Sequence, residues 1–378
     1  MASPSNVGVV GIHHFSRTHL KQFLALRSEG LVGKLLAVAH QPELDPAWVN
    51  ELQAKDVTLL PDLAALLAAT PDGRALDLVT LPVGIHLHVP MTEQVLARGI
   101  RVYLEKPVAG SLAEVDRLIA HPRADLVQVG FQHLAMPSLR ALRQRIASGE
   151  FGAFTRAVVT CGWPRGNAYY ARNRWAGQLT LDGTVIRDSP ANNANAHHLN
   201  LALFLAGGTV RSVDATLARG NAITSFDTCG VRVALAEGGE VIFNASHLGE
   251  AQLGVRLRLE FARTTITCDD IDSKPTWRFA DGSALEIGND PNAWSYRQAV
   301  RRCQGEHVAT CTLAEARPHA AVIEAIHQHP IRDLAGCVSG GERIHHPGID
   351  AALDEAHSRG VTLGETALFA EAGRRAAG

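Results

Sequence analysis

The stretch on which the fold turns is Gly8-Val9-Val10-Gly11-Ile12-His13-His14-Phe15-Ser16-Arg17-Thr18-His19. It starts inside a compact apolar run at residues 7–12, rich in β-branched side chains, which reads as a strand. Similar short runs recur at 35–39, 76–81, 101–104 and 126–129. Between them lie helix-like stretches such as 63–69 and 89–98, the latter ending at Gly99. Ser111 and Glu114 have the spacing of a capping box ahead of 115–120. Continuous apolar strands alternating with helices predict a parallel sheet covered on both faces.

From about residue 150 the pattern becomes strand-rich. Val255, Leu257, Leu259 and Phe261 alternate with Arg256, Arg258 and Glu260, which predicts a strand with one wet face. Residues 231–236 and 240–245 flank Gly238-Gly239 and read as a hairpin, with further strands at 154–161 and 209–217. Consecutive strands with short connections predict an antiparallel sheet. Thr312 and Glu315 form a second capping-box spacing, opening a helix to about residue 327, and the tail at 373–378 should fray. The fold class is therefore α/β: a parallel α/β domain over residues 1–130, then an α+β domain over 131–378 built on a large, mostly antiparallel sheet.

At 378 residues the length suits two domains. The 36 basic side chains against 38 acidic ones give a net charge of −2, without the one-sided basic field that nucleic-acid binding requires. No apolar run approaches the ~18 residues of a membrane helix, and the opening MASPSN lacks a signal-peptide pattern. Six cysteines at irregular spacing, with no CxxC pair, read as reduced packing thiols. The 18 histidines lack zinc-type spacing, so no metal site is expected. These features predict a soluble cytoplasmic enzyme with no nucleic-acid or membrane partner.

Several stretches are candidates for chemistry. A dinucleotide-binding turn would place glycines at 11, 13 and 16; Gly11 is present, with His13 and Ser16 at the other two places. The turn therefore reads either as a phosphate-binding loop or as a plain strand-turn-helix. Past the second strand, His40-Gln41 stands where a ribose-binding carboxylate is expected, so the choice between NAD and NADP is not legible. Arg101 to Leu104 runs into Glu105-Lys106-Pro107, which sets Lys106 at the carboxyl end of a parallel strand, the ligand end of open α/β sheets. In Asp188-Ser189-Pro190-Ala191-Asn192-Asn193-Ala194-Asn195-Ala196-His197-His198-Leu199-Asn200, Asp188 or Ser189 should cap a helix running to Gly207-Gly208. Asparagine is a poor helix former, and Asn193, His197 and Asn200 at i, i+4 and i+7 would share one ligand-facing side. Upstream, residues 163–175 mix aromatic and guanidinium groups, including Arg172 and Trp175, which suits a polyhydroxylated or anionic ligand and equally a subunit interface. The acidic stretch at 269–272 reads as a solvated turn.

Together these pieces resemble the glucose–fructose oxidoreductase / inositol dehydrogenase / rhizopine-catabolism (Gfo/Idh/MocA) family. The resemblance rests on Glu105-Lys106-Pro107 with His88 and Pro82 upstream, on the histidine-bearing helix at 197, and on the Gly11 turn with His19. It implies an N-terminal Rossmann domain binding NAD or NADP through Gly11, His13, His14, Phe15, Ser16, His40, Gln41, Pro82, His88, Glu105 and Lys106. It also implies catalysis by Lys106 and His197 on one hydroxyl, with Arg172, Trp175, Asn192 and His198 contacting substrate. The family's DxxxH pair becomes Asn193 and His197 here, so Asn193 orients the ring without supplying charge. The implied function is hydride transfer to or from a carbinol or ketone of a sugar, cyclitol or related polyol, by a homodimer or homotetramer. Alternatives are elimination, epimerisation or deglycosylation without net redox change on a retained nicotinamide, and a non-catalytic ligand-binding descendant.

Overall fold

A computed structural model of the chain describes residues 3–39, 45–269, 271, 276–286 and 290–370. They form two compact units. The first opens with β1 (Ser5–Val10), α1 (Ser16–Ser28), β2 (Val32–Val38), α2 (Pro46–Ala54), β3 (Val57–Leu60) and α3 (Leu63–Ala68). It continues through β4 (Leu78–Leu81), α4 (Ile85–Ala97), β5 (Arg101–Leu104), α5 (Leu112–Ile119) and β6 (Val127–Val129). The six strands are parallel in the order β3-β2-β1-β4-β5-β6. All six residues of β1 are buried, as a strand covered on both faces demands. The strand order reverses between β1 and β4, which opens a crevice at their carboxyl ends.

Local chemistry explains the helix starts. Asp45 caps α2 through the amides of Ala47 and Trp48, with Pro46 at the first helical position, and Asp62 caps α3 through the amide of Ala65. Helix α4 starts at Ile85, earlier than the expected residue 89, and carries Pro90 inside it. Buried Ile85, His88 and Val89 hold this extra turn despite the backbone bond that Pro90 cannot make.

The second unit begins with α6 (Pro137–Ala147), β7 (Phe154–Gly162), α7 (Asn167–Ala171), the small hairpin β8 (Thr180–Leu181) and β9 (Thr184–Val185), and α8 (Ala196–Ala206). Strands β10 (Val210–Arg219), β11 (Thr228–Leu235), β12 (Glu240–Ser246), β13 (Gly254–Phe261), β14 (Thr265–Asp269), β15 (Thr276–Phe279) and β16 (Ala284–Glu286) follow. After α9 (Pro291–Cys303) and α10 (Leu313–Ile326) come β17 (Ile331–Asp333), the hairpin β18 (Val338–Ser339) and β19 (Ile344–His345), and α11 (Ile349–Arg359).

The main sheet has nine strands in the order β16-β15-β14-β13-β7-β12-β11-β10-β17. It is antiparallel except at β7–β12 and β10–β17. The parallel pair β7–β12 is possible because the chain between them is long enough for a crossover, which includes α8. Hairpin β11–β12 forms as expected, pairing Ala234 with Glu240 around Gly238 and Gly239, both at positive φ.

Three expectations need correction. Strand β13 alternates in burial, but its second face is not open to water: Arg256 pairs across the ladder with Thr160, whose hydroxyl meets His357 on α11, and Arg256 itself bonds Asp354 there. A helix therefore covers the polar row. The first unit also does not end at residue 130; it runs on through Met136 and takes back α9, whose Tyr296, Ala299 and Val300 join the core of α1 and β1. A helix returning to a distant sheet leaves no trace in local periodicity. Of the acidic stretch, Asp269 is exposed at the end of β14 but Ile271 is buried, while 270 and 272, like the tail at 373–378, lie outside the described residues.

The second capping box forms as spaced: Glu315 accepts from the Thr312 amide at 2.9 Å, and Thr312 Oγ1 accepts from the Glu315 amide at 3.2 Å. Thr312→Ala should lower the urea midpoint by the equivalent of about 1 kcal/mol with an unchanged m-value. No loss would show that the tertiary packing of α10 alone sets its start.

Candidate functional site

In the first unit the site is built at the crevice between β1 and β4. Gly11 adopts φ 105°, and a Cβ there would meet Ser16 Oγ at 2.7 Å. Ser16 opens α1, is buried, and donates to the Pro82 carbonyl after β4 at 3.4 Å, so it ties the two loops of the crevice together. His14 takes φ 49°, the strained conformation a glycine would accept freely, and is exposed beside Phe15. His13 is half-buried, and its Nε2 is buried without a hydrogen-bond partner. Trp48 Nε1 donates to the Ile12 carbonyl at 2.8 Å and anchors the start of the turn.

At the end of β5, Glu105 is 7% exposed. Its Oε1 accepts from Nε2 of fully buried His19 at 3.2 Å, and its Oε2 from the Lys106 amide at 3.2 Å. The Lys106–Pro107 peptide is cis. His88 lies 2.7 Å from the Pro107 carbonyl through Nδ1 and 3.2 Å from the Val83 carbonyl through Nε2. Burial pushes its pKa down, so the ring is neutral and the shorter contact places its proton on Nδ1. Rings pack around this core: Tyr103 stacks on Tyr296 at 4.9 Å, and His19 meets Tyr296 edge-on at 4.8 Å. The half-buried Lys106 side chain thus leaves from a turn fixed on both sides.

The second unit carries the histidine-bearing segment. Ser189 Oγ accepts from the Asn192 amide at 3.1 Å, Pro190 takes the first position, and residues Pro190–Ala194 wind as a π-turn. At Asn195 the backbone leaves helical geometry (φ −112°, ψ 17°), and α8 starts afresh at Ala196, stopping at Gly207 with φ 67°. The break changes the helical phase: Asn193 and His197 are half-buried, but Asn200 is fully buried, so the expected three-residue face does not exist. Asn193 donates through Nδ2 to Asp188 Oδ1 at 2.7 Å. Asp188, whose side chain is 3% exposed, also accepts from the Gly177 amide at 2.6 Å and lies 3.7 Å from Arg172. The ring of Tyr169 sits under Arg172 at 3.7 Å and within 5.1 Å of Arg165, while Trp175 receives Arg172 at 5.1 Å.

The structure redistributes several expected roles. Asn192 is 1% exposed and spends its amide hydrogens on the carbonyls of Ile186 and Arg187, so it braces the loop. His198 is 2% exposed and packs edge-on against Trp163 at 5.5 Å. His88, 1% exposed with both ring nitrogens against backbone, supports the Lys106 turn from behind. His40 and Gln41 lie outside the described residues. Sequence reasoning missed Trp48, Tyr103, Tyr296, Arg165 and His247; Arg165 alone carried a signal, through its place among the aromatics at 163–175.

Two outcomes follow from this geometry. Gly11→Ala should cost about 1–3 kcal/mol, and adding Ser16→Gly should recover only part of it, because the contact is relieved while the positive φ persists. Full recovery by the double variant, read from urea midpoints, would show that φ is not the constraint. His88 and His247 are both held neutral by burial, below the usual 6.5. As pH falls below about 6.5 the unfolded chain takes up protons that the folded chain refuses, so stability present above that value is lost on acidification. Urea midpoints between pH 7.5 and 5 should fall, with a shallower slope in His247→Gln; an unchanged slope contradicts the assignment.

Comparison with known proteins shows the family of the chain. The profile described as "Oxidoreductase family, NAD-binding Rossmann fold" matches residues 5–133, and that of the GFO/IDH/MocA C-terminal domain matches residues 139–267. A dTDP-3,4-didehydro-2,6-dideoxy-alpha-D-glucose 3-reductase of Streptomyces violaceoruber is 26% identical over 190 residues, 48% of this chain and 53% of the relative. A putative UDP-kanosamine synthase oxidoreductase subunit of Amycolatopsis mediterranei is 32% identical over 127 residues, 32% of this chain and 34% of the relative. The chain's matches thus span about half, or a third, of the length of these curated relatives. In fold it is similar to the WlbA dehydrogenase of Bordetella pertussis, solved with NADH and UDP-GlcNAcA, at TM-score 0.70 and 21% identity over 86% of this chain and 96% of the other. With both of its parts matched by profiles of one family, this chain belongs to the Gfo/Idh/MocA oxidoreductase family.

Proposed function

We propose that this chain is an NAD(P)-dependent oxidoreductase acting on a carbinol or ketone of a sugar, cyclitol or related polyol. The observation that carries this reading is the strand order 3-2-1-4-5-6, with Lys106 presented at the carboxyl end of β5 by the buried Glu105–His19 pair. The residues present fit a dinucleotide. Gly11 keeps the turn clear of a Cβ that would press on Ser16 Oγ, and Nε2 of His13, in the same turn, is buried without a partner. Gly11, His13, His14, Phe15, Ser16 and Pro82 would hold the cofactor, together with His40 and Gln41 near the ribose. When bound, the nicotinamide supplies the acceptor or donor of a hydride. The relatives whose names mention dTDP- and UDP-sugars support a sugar substrate.

The chain's own residues then have separate tasks. His197 takes the hydroxyl proton at a ring nitrogen during oxidation and returns it during reduction. The Lys106 ammonium stabilises the negative charge that grows on the same oxygen. Asn193, held by Asp188 through its amide nitrogen, is assigned as a positioning residue for the His197 imidazole across the helix break at Asn195, without relying on helical spacing. Arg172 and Trp175 take the substrate's body. The reading includes a cytoplasmic homodimer or homotetramer, which native mass spectrometry of the purified protein tests along with any retained dinucleotide.

His197→Ala should lower turnover by about 10²–10⁴-fold with little change in substrate affinity. Lys106→Met should act on the same step, so the double variant should lose far less than the product of the two single losses. Equal losses of turnover and affinity, or multiplicative losses in the pair, would overturn the shared role. Asn193→Asp, although it restores the family's residue, should lower activity, since it sets a second carboxylate against Asp188 Oδ1. The exchange Asp188→Asn with Asn193→Asp rebuilds a hydrogen bond and should recover part of it; higher activity in Asn193→Asp alone contradicts the assigned relay.

A further inference from the structure

The group around Tyr169 contains more positive charge and more hydrogen-bond donors than its own neighbours use. Arg165 and Arg172 both lie against the Tyr169 ring, at 5.1 and 3.7 Å, and Arg165 also lies over Trp163 at 5.2 Å. Asp188 balances Arg172. Arg165 has no carboxylate partner among the described residues; its Nη1 reaches only the Pro164 carbonyl at 3.5 Å, and its Nε is buried without a partner. Half-buried, with its Nε shut off from solvent and no carboxylate beside it among the described residues, this guanidinium is left to be matched by an anionic ligand.

His247 adds a second, independent observation. It is 2% exposed, its ring lies 5.5 Å from that of Tyr169, and its Nε2 is buried with no partner. Its Nδ1 meets the Tyr170 hydroxyl at 2.8 Å. Burial, with the Arg165 and Arg172 guanidiniums beside it, holds the imidazole neutral, while burial keeps the Tyr170 hydroxyl protonated. With both groups neutral, either can donate across the contact between Tyr170 and Nδ1, and Nε2 remains a buried nitrogen without a partner. The cluster thus offers N–H donors from two guanidiniums on an aromatic floor, beside a buried imidazole nitrogen without a partner, while its two acids, Asp188 and the buried Asp227 near Tyr170, are already hydrogen-bonded.

We infer that Arg165, Arg172 and His247 form a subsite for an acidic group of the substrate, a carboxylate or phosphoryl oxygen. This deepens the proposed function, since it rests on the second unit binding the substrate, and it explains why neutral polyols alone would leave Arg165 unmatched. Planar guanidinium groups suit such oxyanions through paired donors.

The test titrates the full-length protein with inorganic phosphate, glucuronate and glucose, following tryptophan fluorescence at Trp163 and Trp175. Phosphate or glucuronate should bind at least tenfold more tightly than glucose, and the tighter of the two identifies the acidic group. Arg165→Gln should weaken anion binding at least tenfold and leave glucose unchanged, while Arg165→Lys, which keeps the charge, should lose less. Glucose binding as tightly as both anions, or anion affinity within twofold of the parent in Arg165→Gln, overturns the subsite. Because binding needs no turnover, a protein that binds the anions but moves no hydride upholds this inference and overturns the proposed reaction. One that turns over neutral and acidic sugars with equal kcat/KM does the reverse.

Discussion

A carboxylate buried at the end of a parallel strand has to find donors, and in the first unit the arrangement around Glu105 follows from that requirement. His19 reaches it from α1 and the Lys106 amide from its own turn. Removing one partner of a buried pair typically costs about 3–5 kcal/mol, because the remaining charge is left uncompensated. The surroundings are shaped to fit. Gly130 must lack a side chain, since a Cβ there would stand 2.8 Å from Glu105 Oε1, and the Tyr103–Tyr296 stack closes the apolar wall beside His19. Lys106 leaves this nest with its backbone fixed by Glu105 on one side and by the His88 contact with Pro107 on the other.

The second unit solves a similar problem with different residues. Asp188 is buried and satisfied by the Gly177 amide and the Asn193 amide, with Arg172 nearby. A carboxylate at position 193 itself would compete with Asp188 for the same donors, so the asparagine there belongs with its neighbour and not with the family pattern alone. In both units, then, a buried acid is satisfied by backbone amides and nearby side chains and is itself shielded from solvent.

How much of this was legible in the sequence depended on the range of the interaction. Strand β5 and its Glu-Lys-Pro end, the β13 alternation, the β11–β12 hairpin and the Thr312 capping box were readable because each is settled within a few residues. The same locality explains the failures. The face proposed for Asn193, His197 and Asn200 assumed an unbroken helix, and a π-turn with a break at Asn195 moved Asn200 into the core. Asn192 looked like a ligand contact because its role, bonding the carbonyls of Ile186 and Arg187, depends on a loop conformation that spacing does not encode. The return of α9 to the first unit, and the meeting of Arg165 with His247 across some eighty residues of chain, are purely tertiary.

The proposed reaction passes a hydride directly between a nicotinamide and a sugar carbon. The most direct measurement supplies NADH or NADPH deuterated at the transferable position, with a panel of keto-sugars and keto-sugar nucleotides, and locates the label in the product by mass spectrometry and NMR. One deuterium is expected on the new carbinol carbon and none elsewhere. A product formed without label, or label appearing only in solvent, would contradict it.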